Sequence, residues 1–204
     1  MKYNISEELS KQARHGHDLF LINLITNHIL LFVIMLGVVQ SNPAMLLIIP
    51  GISLCVLGYT LLRAKKSLSI DPWFVQCHWQ ICAKRSKIFI TMLGIWVVFM
   101  LIAYLVYLNA YVGAEAQLAN EALTTLQQMD IEGKLRSTKT MLIALMAVGG
   151  MPTMIAVMAL IVMEQDAMYL AKTGGKLPDW VLKKLPYDGS VETIESETET
   201  EAQN

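Results

Sequence analysis

The charged residues of the chain avoid four long stretches. Residues 19–39, 44–62, 88–112 and 140–163 contain no Asp, Glu, Lys or Arg, and they are 21, 19, 25 and 24 residues long. A helix needs about 20 apolar residues to cross the hydrocarbon core of a bilayer. Inside lipid, a helix satisfies its own backbone N–H and C=O groups within one segment. Four such runs therefore predict an all-α, polytopic membrane protein with four transmembrane helices. Core helices of a soluble domain do not fit, because a chain of 204 residues could not wrap four of them. Nor does the first run fit a cleaved signal, whose apolar region is about 7–15 residues and ends at small residues. Here 21 residues lead into Gln40-Ser41-Asn42-Pro43, which reads as an uncleaved span and a tight turn.

The segments between the runs carry their own patterns. Residues 1–18 form an amphipathic leader, with Ser6 as cap and Glu7 and Glu8 in the first helical turn. Proline removes a backbone bond and kinks a helix, so Pro50-Gly51 and Gly149-Gly150 with Pro152 are expected to be helix breaks in the second and fourth spans. Asp71-Pro72 is a helix start. Trp73, Phe74 and Trp79 follow it, then Lys84, Arg85 and Lys87, a mixture that favours the lipid interface. An interfacial cytoplasmic helix over 72–87, running into the third span, is the expectation. Leu118, Ala122, Leu126 and Met129 keep helical spacing beyond that span, and Asp130–Lys139 reads as the return. From Tyr187 onward there are six acids and no base, a composition too polar to fold alone. The chain thus divides into a leader (1–18), a transmembrane domain (19–186) and an acidic tail (187–204) expected to be disordered and cytoplasmic.

Charge adds orientation. With both termini inside, 13 Lys and Arg residues fall on the inner side and three (Lys134, Arg136, Lys139) on the outer. Basic residues favour the cytoplasmic face, so cytoplasmic termini and a bacterial inner membrane are expected. A net charge of −1 gives no footprint for nucleic acid. The three cysteines are an odd number, and Cys77 and Cys82 fall in a segment placed in the reducing cytoplasm, so no disulfide framework is implied.

Candidate chemistry is sparse. Asn23, Thr26, Asn27 and His28 form an intramembrane polar cluster. Polar residues in spans usually turn toward protein or water, and an ionisable one is a functional candidate. Interhelical hydrogen bonding is the main reading and a proton or ligand site at His28 the sharper one, with Ser53 as a candidate partner. Cys77, His78 and Cys82 are potential metal ligands, but the cysteines lie about 140° apart on a helix, so they read as packing thiols and no metal is assigned. The methionines 151, 154 and 158 share a face, which fits helix packing better than copper. Glu164 and Asp166 read as hydrated carboxylates at the membrane boundary. No cofactor is expected. The leading functional expectation is a small non-enzymatic inner-membrane protein, a subunit or accessory of a larger membrane assembly. Its partners are the lipid bilayer and a membrane protein or a second copy of itself. A small oligomeric transporter or channel is the alternative, and a metal-dependent membrane enzyme the third reading.

The charge bias makes a direct prediction about topology. A reporter fused after Asn204 is expected to report a cytoplasmic location and one inserted near Gln127 an external location. The opposite pair of signals would invert the topology.

Overall fold

The computed structural model describes residues 2–34, 48–119 and 124–194, the side chains of Met146 and Ala147 excepted. The expected turn at Ser41-Asn42-Pro43, the adjoining ends of the first two spans and the acidic stretch 195–204 lie outside the described residues. In chain order the elements are β1 (Lys2–Tyr3), α1 (Glu7–Ile22), a π-helical segment (Asn23–Leu31) and α2 (Ile48–Ile70). They continue with α3 (Trp73–Leu118), α4 (Thr125–Thr173), α5 (Asp179–Lys184) and β2 (Thr193–Ile194). Four helices are long and apolar enough to cross a membrane: Glu7–Ile34, Ile48–Ile70, Trp73–Leu118 and Thr125–Thr173. The leader is continuous with the first of them rather than a separate element. At 46 and 49 residues, α3 and α4 have contour lengths of about 70 Å, roughly twice the thickness of the hydrocarbon core.

Residues 1–90 and 156–204 make one compact unit and residues 91–155 a second. The first is built around the opening turns of α3. Residues 73–75 and 77–83 are all buried, so this stretch of helix is covered by protein on every side. The aromatic residues expected at the lipid interface are thus enclosed by the protein itself. Trp73, Phe74, Val75, Trp79 and Ile81 are at most 4% exposed. α1 crosses this stretch at Gly16, where a Cβ atom would come within 3.1 Å of both Cys82 Sγ and the Trp79 ring. Besides Pro50, α2 buries Ile49, Ser53, Leu57, Thr60, Ala64 and Ser67 as a stripe, these six spaced by three or four residues. Four of the six are small or hydroxylic, which lets helix backbones approach closely in a membrane protein. Ser6 caps α1 as expected, its side chain accepting from the Leu9 N–H at 3.2 Å. Asp71, by contrast, gives both carboxylate oxygens to Arg63.

The chain ends close over the same core. β1 and β2 pair antiparallel, Lys2 with Ile194 and Tyr3 with Thr193. Tyr3 is 2% exposed and packs its ring on Trp73, Phe74 and Tyr187. The Trp73 indole N–H donates to the Leu185 carbonyl at 3.2 Å. The Tyr187 hydroxyl donates to the Val191 carbonyl, and Val191 is buried in the core cluster. Tyr187, Val191 and the strand Thr193–Ile194 thus contact the core and β1, contacts that the acidic composition from Tyr187 onward does not announce. The reason is non-local: one valine, one tyrosine and a strand partner at the far end of the chain supply what the local sequence lacks.

In the second unit, the 91–118 part of α3 packs against the 125–155 part of α4. The expected break at Gly149, Gly150 and Pro152 is not a break, because α4 runs through it with Pro152 inside. The glycines serve contact instead. A Cβ at Gly149 would meet Phe99 Cβ at 3.4 Å, and one at Gly150 would meet Trp96 Nε1 at 3.2 Å. The expected return over 130–139 is helical too, reinforced by the Asp130–Lys134 ion pair at 2.7 Å. Pro50 stands within α2, two residues after the first described position, with Gly51 next to it and nothing near its Cβ direction.

Two glycines with positive φ test how the ends close. Gly174 has φ +65°, and a Cβ there would lie 2.1 Å from the Tyr3 carbonyl oxygen. Gly189 has φ +77° with open space around it. Gly174→Ala is expected to cost more than about 2 kcal/mol, from backbone strain plus the clash, and Gly189→Ala only about 1 kcal/mol. Thermal unfolding of the two purified variants checks this; equal losses would mean that the β1 contact contributes nothing.

Candidate functional site

Three helices bring ionisable side chains to one buried point in the first unit. α1 contributes His17, α3 contributes His78, Cys82 and Arg85, and α4 contributes Glu164. His17, Cys82 and Glu164 are each 0% exposed. His17 Nδ1 lies 2.5 Å from Glu164 Oε2 and 3.2 Å from Cys82 Sγ. His17 Nε2 lies 2.9 Å from His78 Nδ1. Arg85 Nη1 donates to Glu164 Oε1 and to the Met163 carbonyl, both at 2.9 Å. A buried carboxylate costs several kcal/mol unless it is paired and hydrogen-bonded, and both its oxygens are engaged here.

The geometry limits the chemistry. In a nucleophile–base–acid triad the nucleophile and the orienting acid sit on opposite ring nitrogens of the histidine. Here Cys82 and Glu164 both reach Nδ1, while Nε2 is taken by His78. A triad is therefore not what these residues form. Three different donor atoms within 4.8 Å of one another could hold a metal ion.

Sequence reasoning found part of this. Of Cys77, His78 and Cys82, only Cys82 joins the convergent set. His78 holds the outer side of His17, and Cys77 is packed in the hydrophobic core. The two cysteines point about 140° apart on the helix, so Cys77 faces the hydrophobic core while Cys82 meets residues from α1 and α4. His15, two residues before His17, lies outside the set, its ring edge-on to Trp79 with centroids 6.2 Å apart. Glu164 was expected to be a hydrated boundary carboxylate, and its complete burial corrects that reading. A signal for it was present. His17, Arg85 and Glu164 each stand one to three residues from the end of a charge-free run, so the topology puts all three at one level of the bundle.

The intramembrane polar cluster is partly assembled. Asn23 Nδ2 donates to Ser53 Oγ at 3.0 Å, His28 Nε2 lies 2.8 Å from the same oxygen, and Asn27 Nδ2 donates to the Ile49 carbonyl at 2.8 Å. Thr26 is exposed and takes no part. The π-helical segment explains the membership. Residues five apart sit about 140° apart in an α-helix, but i→i+5 bonding stacks them, so His28 joins Asn23 and Asn27 on one face. The group binds the π-helical segment to α2. Met151 and Met158 are exposed and Met154 half-buried, so the methionine stripe does not line an interior.

A cleft of about 990 Å³ lies between the start of α1 and the α2–α3 turn, lined by Glu7, Lys11, His15, Arg63, Asp71 and Trp79 among others. The Arg63 guanidinium lies 5.0 Å over the Trp79 ring and forks onto Asp71 with bonds of 2.7 and 3.0 Å. Burial by itself would raise the Asp71 carboxyl, but hydrogen bonding from Arg63 and Ser67 and the charge of Arg63 together outweigh it and hold the group below its ordinary value. Compared with protein-family models, curated proteins and solved structures, the chain matches none of them.

The sign of the Asp71 shift sets a pH dependence. A carboxyl held low in the folded state adds stability above its unfolded pKa and loses it as pH falls through the folded value. The stability gap between the native chain and Asp71→Asn is expected to be constant above about pH 5 and to shrink below about pH 4. Denaturant midpoints in detergent across this range check it; a gap that widens in acid would reverse the assignment.

Proposed function

We propose that the chain is a small non-enzymatic protein of a bacterial inner membrane, both termini cytoplasmic, serving as subunit or accessory of a larger membrane assembly. The observation that carries this reading is the sealing of the convergent cluster. His17, Cys82 and Glu164 are fully buried, whereas an enzyme site is a concave pocket that admits its substrate. A metal-dependent enzyme keeps a reachable coordination position, and here the donors lie beneath packed helices. The 13 to 3 distribution of basic residues supports the cytoplasmic orientation of the termini. The surface supports an assembly role as well. Along the charge-free stretch of α3, Ile95, Val98, Leu101, Ile102, Leu105 and Leu108 are all more than 40% exposed. In a bilayer such a face meets lipid or the helices of a membrane partner or second copy. A small oligomeric transporter or channel is the second reading, favoured by the Asn23, Asn27 and His28 group on a π-helical stretch, since such stretches recur at functional sites.

Purification of the untagged protein from its native membrane in mild detergent, with cross-linking and mass spectrometry, tests the proposal. A stoichiometric membrane-protein partner is the expected result. A complex of this chain alone that conducts a solute in liposomes would replace it with the transporter reading.

A further inference from the structure

We propose that His17, Cys82 and Glu164 form a closed binding site for one zinc-class divalent cation, which ties α1, α3 and α4 together. This goes beyond the accessory role and does not depend on it. The donor set is one imidazole nitrogen, one thiolate sulfur and one carboxylate oxygen. That mixture suits Zn²⁺ and related transition ions, whereas Ca²⁺ and Mg²⁺ take oxygen ligands. Zinc bonds of roughly 2.0–2.3 Å in a tetrahedron put N and O about 3.3 Å apart and N and S about 3.6 Å apart. The present separations are 2.5 and 3.2 Å. Side-chain shifts of under about 1 Å therefore open the point to the ion.

The surroundings are those of an outer ligand shell. Metal-bound histidines donate their second ring N–H to a fixed partner, which sets the tautomer. His78 Nδ1, 2.9 Å from His17 Nε2, is that partner. Arg85 grips Oε1 of Glu164, which leaves Oε2 for the ion. The protons balance. Without the ion, His78 donates through Nδ1 to His17 Nε2, and His17 donates through Nδ1 to Glu164. With it, His17 carries its proton on Nε2 and donates to His78, whose own proton sits on Nε2. That His78 nitrogen is buried with no partner in the described protein. Cys82 loses its thiol proton to solvent, so one proton leaves for each ion bound.

The test uses the full chain, untagged, and a variant carrying Cys55→Ala with Cys77→Ala, which leaves Cys82 the sole thiol of the three in the sequence. Elemental analysis is expected to find about one zinc per chain in both proteins after incubation with Zn²⁺ alone and gel filtration. X-ray absorption at the zinc edge is expected to show one sulfur neighbour at about 2.3 Å, the rest nitrogen and oxygen. Substituting Co²⁺ should give a thiolate-to-cobalt charge-transfer band that Cys82→Ala abolishes. A folded native protein that retains no zinc overturns the proposal, as does bound zinc without a sulfur neighbour. If the double variant or Cys82→Ala fails to fold, the sulfur shell of the native protein decides by itself.

Discussion

Burying Glu164 is the constraint on which the rest of the first unit depends. A carboxylate at the end of a charge-free run faces two ways out: hydration at the membrane boundary, or a full set of partners inside protein. The chain takes the second. Arg85 comes from α3 and His17 from α1, so three helices separated by up to 147 residues in sequence must meet at one level. Breaking such a buried pair by removing one partner leaves an uncompensated charge and costs about 3–5 kcal/mol. The cost of a wrong helix register is of the same kind, so the pairing fixes depth and rotation together.

Around that point the hydrophobic core does ordinary work with unusual material. The opening turns of α3 carry two tryptophans and a phenylalanine, enclosed by α1, α2 and the chain ends. Gly16 lets α1 lie against Trp79 and Cys82, and the small stripe of α2 lets that helix close in. A closed site then becomes possible because backbone elements approach more tightly than bulky side chains would allow. The Arg63 fork onto Asp71 and its stacking on Trp79 hold the α2–α3 turn over the same core.

Polar groups within the spans follow a matching logic. Asn23, Asn27 and His28 find Ser53 and the Ile49 carbonyl on α2 rather than lipid. Their alignment needs a π-helical turn, a departure from regular geometry at the place where polar side chains must share a face. In the second unit small residues do the corresponding work, with Gly149 and Gly150 receiving Phe99 and Trp96.

The sequence by itself determined the four long apolar helices and the cap at Ser6, because charge segregation over about 20 residues and capping chemistry are local. The bonding of Asn23 and His28 to Ser53 was also legible, since polar residues in a span must find protein. What only the tertiary structure decided is long-range. Glu164 became a buried partner of His17 because of what a distant helix placed beside it. Tyr187 packs on Tyr3 and Trp73, and Thr193–Ile194 pairs with β1, because distant parts of the chain supply those partners. Residues 73–75 and 77–83 became part of a core because other segments covered them. α4 runs on through Gly149, Gly150 and Pro152, and Phe99 and Trp96 of the neighbouring helix fill the space beside the two glycines. Periodicity reads one helix at a time; which side chains meet at its surface depends on packing partners that the local pattern does not contain.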